Sequence, residues 1–396
     1  MTVGVPVDTD PHERRVPLVP SVVPLLTKIG TSVLMQKGAG DDAGFPKSSY
    51  EELGVRFTDD RTALFSESDI LVRMHGFRDG DSDLPLVHSG QVVLGLLNPY
   101  NTPQAIKTLA EREVTSFALE FVPRIARSQS MDALTSMASL AGYKGVLIAA
   151  HELNKIFPMT ITAAGAINAA KVFVVGAGVA GLQAIATARR LGAVVQAYDV
   201  RPIAKEQVES LGGKFVELTL ETKGAETAGG YAKDLGEDFY RRQREMMLQV
   251  VAESDAVITT AAIPGKKSPV LVTKEMVERM RPGSVIVDLA AEGGGNCELT
   301  KPGENIVFNG IKIVGPINLP STIAFHASQM YSRNIAAFLQ NLIKEGRITI
   351  DLEDQIIRES LLTHQGVIVN PQMRTVLGLP ALTPPAAVSN KPTGTP

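Results

Sequence analysis

The chain has 396 residues, too many for one hydrophobic core, so two domains are expected. With 44% hydrophobic residues, 20% charged residues and a formal net charge of −3, it reads as globular and lacks the basic excess of a nucleic-acid binder. A single cysteine, Cys297, excludes a disulfide framework and suits a reducing compartment.

No uninterrupted apolar run reaches the ~18 residues of a membrane span, and "MTVGVPVDTDPHERR" lacks the apolar stretch of a signal peptide. A soluble, cytoplasmic chain is therefore expected.

Short apolar runs alternate with stretches of helical period from end to end, which predicts an α/β fold with parallel sheets. "TVGVPV" reads as a strand, "VPSVVPLLTKIG" as a helix closed by Gly30, and "SVLMQK", "DILVRM" and "QVVLGLL" as strands. "TPQAIKTLAERE" follows as a helix and "TSFALEF" as a strand. Next comes "RIARSQSMDALTS", a polar cluster between apolar flanks, with Ser130 or Asp132 available to cap a helix.

Residues 136–156 then carry apolar side chains at helical spacing and suit an interdomain connector. A second alternating series runs from "KVFVVGAG" to "KIVG", and residues 321–346 suit a return connector. The expected division is 1–135 plus 320–380 for a discontinuous first domain, and 136–319 for a second. The stretch 381–396, rich in Pro and Thr, reads as a disordered tail.

"KVFVVGAGVAGLQAIATARRLGAVVQAYDVR" carries the sharpest chemical signal. A strand leads into Gly176, Ala177, Gly178, Val179, Ala180 and Gly181, and a helix of small residues follows. The second glycine lets backbone approach a pyrophosphate, whose charge rests at the helix N-terminus. Asp199, with Val200 and Arg201 beside it, ends the next strand. A carboxylate there binds a ribose hydroxyl and repels a 2′-phosphate, favouring NAD(H); Arg201 weakens that preference. "TTAAIPGKKSP" and "DLAAEGGGNCE" follow later strands, where ligands bind in such folds. They place Ala261, Gly265, Leu289, Glu292 and Gly293 at the rim. No His, Cys, Asp or Glu grouping has metal spacing, and His151 and His326 read as packing or interface residues on the connectors.

Together "RIARSQSMDALTSMASLAGY", "GAGVAGLQAIATARRLGA", "EQVESLGGKFVE", "ETAGGYAKDLGEDF", "ITTAAIPGKKSPVLVT" and "GSVIVDLAAEGGGNCE" resemble the NAD(H)-binding domain of the proton-translocating nicotinamide nucleotide transhydrogenases. Alanine dehydrogenase is similar in fold. The resemblance implies two Rossmann-like doubly wound domains joined by two long connector helices. It implies hydride transfer from NADH bound here to NADP(H) on a partner component, with membrane-spanning subunits on other chains and a homodimeric soluble part. It also implies that Arg124, Gln129 and Asp132 lie beside the nicotinamide, with Thr135 where the family has a serine. Tyr231 would lie at the centre of a mobile loop that closes over the nucleotide.

Two other readings stand beside this one. An amino acid dehydrogenase needs proton-shuttling groups, and the resemblance places Arg73 and Asn98 where that family has a Lys and a His. Neither residue titrates usefully near neutrality. Arg15 does match that family's substrate-carboxylate Arg. A non-catalytic NAD-sensing module would need only the glycine turn and Asp199, and would leave the polar loop unexplained.

Overall fold

The computed structural model describes residues 1–217, 237–263 and 265–382. Tyr231 and most of the "ETAGGYAKDLGEDF" segment lie outside them, as does the tail from residue 383.

The first sheet is built from β1 (Thr2–Val5), β2 (Ser32–Gln36), β3 (Arg56–Thr58), β4 (Ile70–His75), β5 (Val92–Leu96) and β6 (Thr115–Ala118). These strands are parallel, in the order β6-β5-β4-β1-β2-β3. Helices α1 (Val23–Lys28), α2 (Lys47–Glu51), α3 (Arg61–Glu67) and α4 (Pro103–Glu111) make the crossovers. A long helix, α5 (Ala133–Glu152), then leaves the sheet, and a hairpin of β7 (Thr160–Thr162) and β8 (Gly165–Ile167) follows it.

The second sheet contains β9 (Lys171–Val175), β10 (Val194–Tyr198), β11 (Lys214–Phe215), β12 (Ala256–Thr259), β13 (Val285–Asp288), β14 (Asn305–Phe308) and β15 (Ile311–Val314). Its order is β11-β10-β9-β12-β13-β15-β14, and only β14 runs antiparallel. Helices α6 (Val179–Arg190), α7 (Ala204–Ser210), α8 (Glu237–Glu253) and α9 (Lys274–Arg279) belong to this unit. The chain returns through α10 (Ala324–Leu342), the short hairpin of β16 (Ile343–Lys344) and β17 (Arg347–Ile348), and α11 (Gln355–Ser360). Strands β18 (Leu361–His364) and β19 (Val367–Ile368) and helix α12 (Pro371–Val376) complete it. Strand β18 pairs antiparallel with β6, so the first sheet takes strands from both ends of the described chain.

Both sheets are covered on two faces, which is why their central strands are apolar throughout. On β9, Val172 and Val174 pack with Val146, Ala149 and Ile185, while Phe173 and Val175 pack with Met247 and Val251 on the other side. Helix α5 contributes to two cores. Its Ala133 and Met137 lie in that of the first sheet, its Val146 and Ala149 in that of the second. This double burial explains why α5 alone among the described residues has the length and composition of a membrane span.

Helix α5 also crosses α6 without intervening side chains. A Cβ at Gly142 would lie 2.1 Å from the Ala180 carbonyl oxygen, so no larger residue fits there unless the helices move. Gly142→Ala is expected to destabilise the protein by about 2 kcal/mol or more, read as a lowered urea midpoint. A wild-type midpoint would show that the crossing is looser than described.

Candidate functional site

The site begins where β9 ends. Gly176 has φ 96°, and a Cβ there would lie 2.7 Å from Thr260 Oγ1. A Cβ at Gly181 would lie 1.8 Å from the Gly176 carbonyl oxygen. Both glycines are therefore required by the turn itself. Gly178 is different: a Cβ there would meet nothing closer than Arg201 Nη2, at 3.9 Å. It opens α6 without a side-chain cap, so the first-turn N–H groups remain available to an anion. Ala177 is buried, while Val179 and Ala180 are half-buried beside it.

Asp199 stands at the end of β10 and closes the turn from below. Its Oδ2 accepts from Ala177 N (2.7 Å) and its Oδ1 from Arg201 N (2.8 Å). Arg201 also clasps the carboxylate through Nε (2.9 Å) and Nη2 (3.0 Å), with Val200 half-buried between them. The guanidinium thus orients the acid that sequence reasoning set against it. The open second glycine, the uncapped amides and the carboxylate form a cradle that fits a dinucleotide.

The rim loops follow β12 and β13. Leu289 packs where Gly145 of α5 leaves room, a Cβ at Gly145 being 2.9 Å from its side chain. Ala261 is half-buried, and Glu292 and Gly293 are exposed. One contact ties these loops to the first domain, and another ties them to the segment just before α10. Gly265 faces the Tyr100 ring, 3.3 Å from where its Cβ would be, and Glu292 Oε1 accepts from Asn318 N at 2.5 Å.

The polar loop forms a 3-10 turn, Ala126–Met131, leading into α5. Asp132 is the cap: Oδ1 accepts from Thr135 N (2.8 Å) and Oδ2 from the Thr135 hydroxyl (2.6 Å). Arg124 Nε lies 3.8 Å from Asp132 Oδ2. The structure therefore brings Arg124, Asp132 and Thr135 together. The exposed Gln129 joins them through its carbonyl, which accepts from Asp132 N at 3.4 Å. Arg127 pairs with Asp354, and Asn334 of α10 donates to the Ser130 carbonyl (2.8 Å), holding the loop from behind.

Sequence reasoning missed a second polar cluster. His75, the last residue of β4, meets Glu13 through Nε2–Oε2 at 2.6 Å. Arg15 grips Glu13 with Nε (2.7 Å) and Nη2 (2.6 Å), and Asn318 adds Nδ2 at 3.0 Å. Burial pushes the Glu13 carboxyl up, but hydrogen bonds from Arg15 and His75 and their charges outweigh it, leaving Glu13 well below the glutamate range. Arg73 instead turns to Asp83 (2.8 Å) and stacks over Phe77. The signal missed is the grouping of Glu13 and Arg15, in the loop after β1, with His75 at the end of β4, two strands that the topology makes neighbours.

Glu120, after β6, accepts from Leu97 N (3.1 Å) and Asn98 N (2.6 Å), and so holds Asn98 in its left-handed conformation (φ 48°). Burial pushes Glu120 up to about 7 against these hydrogen bonds. Cys297 is buried, and its thiol is pushed up to about 11, in keeping with a residue that has no chemical role.

With this geometry in view, residues 4–141 match the model "Alanine dehydrogenase/PNT, N-terminal domain" and residues 145–371 match "Alanine dehydrogenase/PNT, C-terminal domain". The chain belongs to the alanine dehydrogenase/PNT family. It is 43% identical over 379 residues to the first of the separate parts of the NAD(P) transhydrogenase alpha subunit in Rhodospirillum rubrum, covering 94% of this chain and 99% of that one. A solved transhydrogenase structure from Sinorhizobium meliloti superposes with TM-score 0.81 at 40% identity, covering 94% of this chain and 100% of that one. Alanine dehydrogenase 2 of Staphylococcus aureus is 26% identical over 378 residues, covering 93% and 95%. Within the family the transhydrogenases are therefore the near relatives and the alanine dehydrogenases distant ones. Membership also accounts for the complete dinucleotide fingerprint: the second sheet carries an NAD(H)-binding domain.

Glu13, which is buried, and Glu120, which is half-buried, predict opposite pH effects. Glu120 holds a proton in the folded state that the unfolded chain releases, so stability falls as pH rises from 4.5 to about 7. Glu13 adds stability above the ordinary glutamate value that is lost as pH falls below it. Glu120→Gln should flatten the urea midpoint across the upper window and leave the acid-side loss intact. Superimposable wild-type and variant profiles would show that Glu120 does not titrate there.

Proposed function

We propose that the chain is the NAD(H)-binding subunit of a proton-translocating NAD(P) transhydrogenase, active only with its partners. Hydride passes directly between NADH held here and NADP+ held by a partner subunit. The observation that carries this reading is that α5 joins both halves of the site. It begins at the polar loop and packs against the first turn of the glycine-rich helix.

Bound NAD(H) supplies the hydride chemistry. The chain's own residues bind, orient and exclude water. The amides at Gly178–Gly181 receive the pyrophosphate, with Gly176 and Ala177 shaping the turn. Asp199, oriented by Arg201 and Val200, holds the adenosine ribose and favours NAD(H) over a 2′-phosphorylated cofactor. Ala261, Gly265, Leu289, Glu292 and Gly293 line the nicotinamide half. Arg124, Gln129, Asp132 and Thr135 grip the carboxamide and linking phosphates.

No proton shuttle is required, because hydride transfer between two rings demands only near-attack spacing of ~3–3.5 Å and a dry cleft. Asn98 and Arg73, which cannot shuttle protons, are compatible with that chemistry and unsuited to an amino acid dehydrogenase.

The partners are an NADP(H)-binding component and membrane-spanning subunits, and through them the chain lies on the cytoplasmic face of the membrane. The Rhodospirillum rubrum relative, matched over 99% of its length, is named as one portion of an alpha subunit, which supports further portions on other chains. A homodimer is supported by the β7–β8 hairpin, where Ile161 is 74% exposed, and by Met159 just before it, 63% exposed.

Mixed with an NADP-binding transhydrogenase component, the chain should exchange hydride between nucleotides, and alone it should give no turnover with alanine and NAD+. Gln129→Ala, and Asp132→Asn with its capping oxygen retained, should lower the transfer rate at least about tenfold and leave NADH affinity within about threefold. Asp199→Ala should do the reverse. Alanine turnover, or loop variants that lose affinity alone, would contradict the assignment.

A further inference from the structure

The rim of the second sheet contains a buried charge that none of the roles above uses. Asp288, the last residue of β13, is fully buried. Its Oδ1 accepts from Thr259 Oγ1 (2.8 Å) and Ala290 N (3.1 Å). Its Oδ2 accepts from Asn296 N (2.7 Å), Cys297 N (2.9 Å) and Thr300 Oγ1 (2.7 Å). All five donors are neutral, so the cost of burying the charge is offset by hydrogen bonds alone. Gly295 lets the loop wrap the carboxylate: it has φ 82°, and a Cβ there would lie 2.9 Å from Oδ2.

Asn296, also fully buried, carries the arrangement to the neighbouring loop. Its Oδ1 accepts from Ala261 N (2.9 Å), and its Nδ2 donates to the Ala261 and Pro269 carbonyls (both 2.8 Å). Its own carbonyl accepts from Leu271 N (2.8 Å) and Val272 N (2.9 Å). The loops after β12 and β13 are thereby held as one body, with Asp288 at its centre.

We infer that Asp288 and Asn296 are positioning residues that preset the two rim loops for the nicotinamide half of the cofactor. This rests on the proposal that those loops hold NAD(H). Among the described residues the pair makes no hydrogen bond to the glycine turn, which the β12 loop meets through Thr260 Oγ1 and the Gly176 carbonyl (3.0 Å), and Asp288 lies across β9 and β12 from Asp199 on β10. Disturbing it therefore impairs recognition of the nicotinamide half and spares the adenosine half. A purely structural role would weaken both halves equally.

The test is to titrate the full chain with NADH, by its fluorescence, and with ADP, by calorimetry. Asp288→Asn has one acceptor oxygen where five donors converge, and should weaken NADH binding at least about tenfold with ADP affinity within about twofold. Thr259→Val, nearly isosteric and one donor short, should show a smaller loss with the same selectivity, and it carries the test if Asp288→Asn does not fold. Equal losses for both ligands, or unchanged NADH affinity in both variants, would overturn the inference. Failure of the wild-type chain to bind NADH would overturn the underlying functional reading as well.

Discussion

The architecture depends on the close crossing of α5 and α6. Gly142 removes the side chain that would otherwise separate the helices, so α5 lies directly on the Ala180 carbonyl in the first turn of the dinucleotide helix. One turn further on, Gly145 receives Leu289 from the rim. The N-terminus of α5 is capped by Asp132, a member of the polar loop. A single helix therefore sets the distance from that loop to the glycine-rich turn and to the rim. Flexible packing at either glycine would let the two halves of the site drift apart.

Around this axis the chain uses buried polar groups to fix loops, which a larger apolar core could not do. Asp199 and Arg201 hold the glycine turn from below. Asp288 and Asn296 join the rim loops, and Glu13, Arg15, His75 and Asn318 join strand ends of the first domain to the return connector. Asn318 also donates its backbone N–H to Glu292 of the rim. Buried charges of this kind contribute little net stability but penalise alternative arrangements heavily, which suits a site whose task is to hold two rings at reacting distance.

Much of this was legible in the sequence, for local reasons. The strand, glycine turn and small-residue helix around Gly176–Gly181 are dictated by close backbone contacts between near neighbours. The 3.6-residue period of α5 and α10 marks both connectors, and Asp132 reads correctly as a cap. What was hidden depends on topology. Strands β18 and β19 are short, and their antiparallel return to β6 leaves no pattern in "LLTH". Glu13 and Asn318 lie 305 residues apart, and His75 reaches Glu13 from the end of β4, 62 residues away. Nothing in "DLAAEGGGNCE" marks Asp288, since only the fold brings Thr259 and Thr300 to its carboxylate.

The central claim is that the chain holds NADH for direct hydride transfer and contributes no proton chemistry of its own. It is tested most directly by mixing the chain with an NADP-binding transhydrogenase component, NADP+ and NADH deuterated at both C4 positions. Direct transfer predicts that the deuterium lost from the nicotinamide of NADH is recovered in NADPH, with none released to water. Deuterium in the solvent, or NADPH formed without the label, would contradict the account.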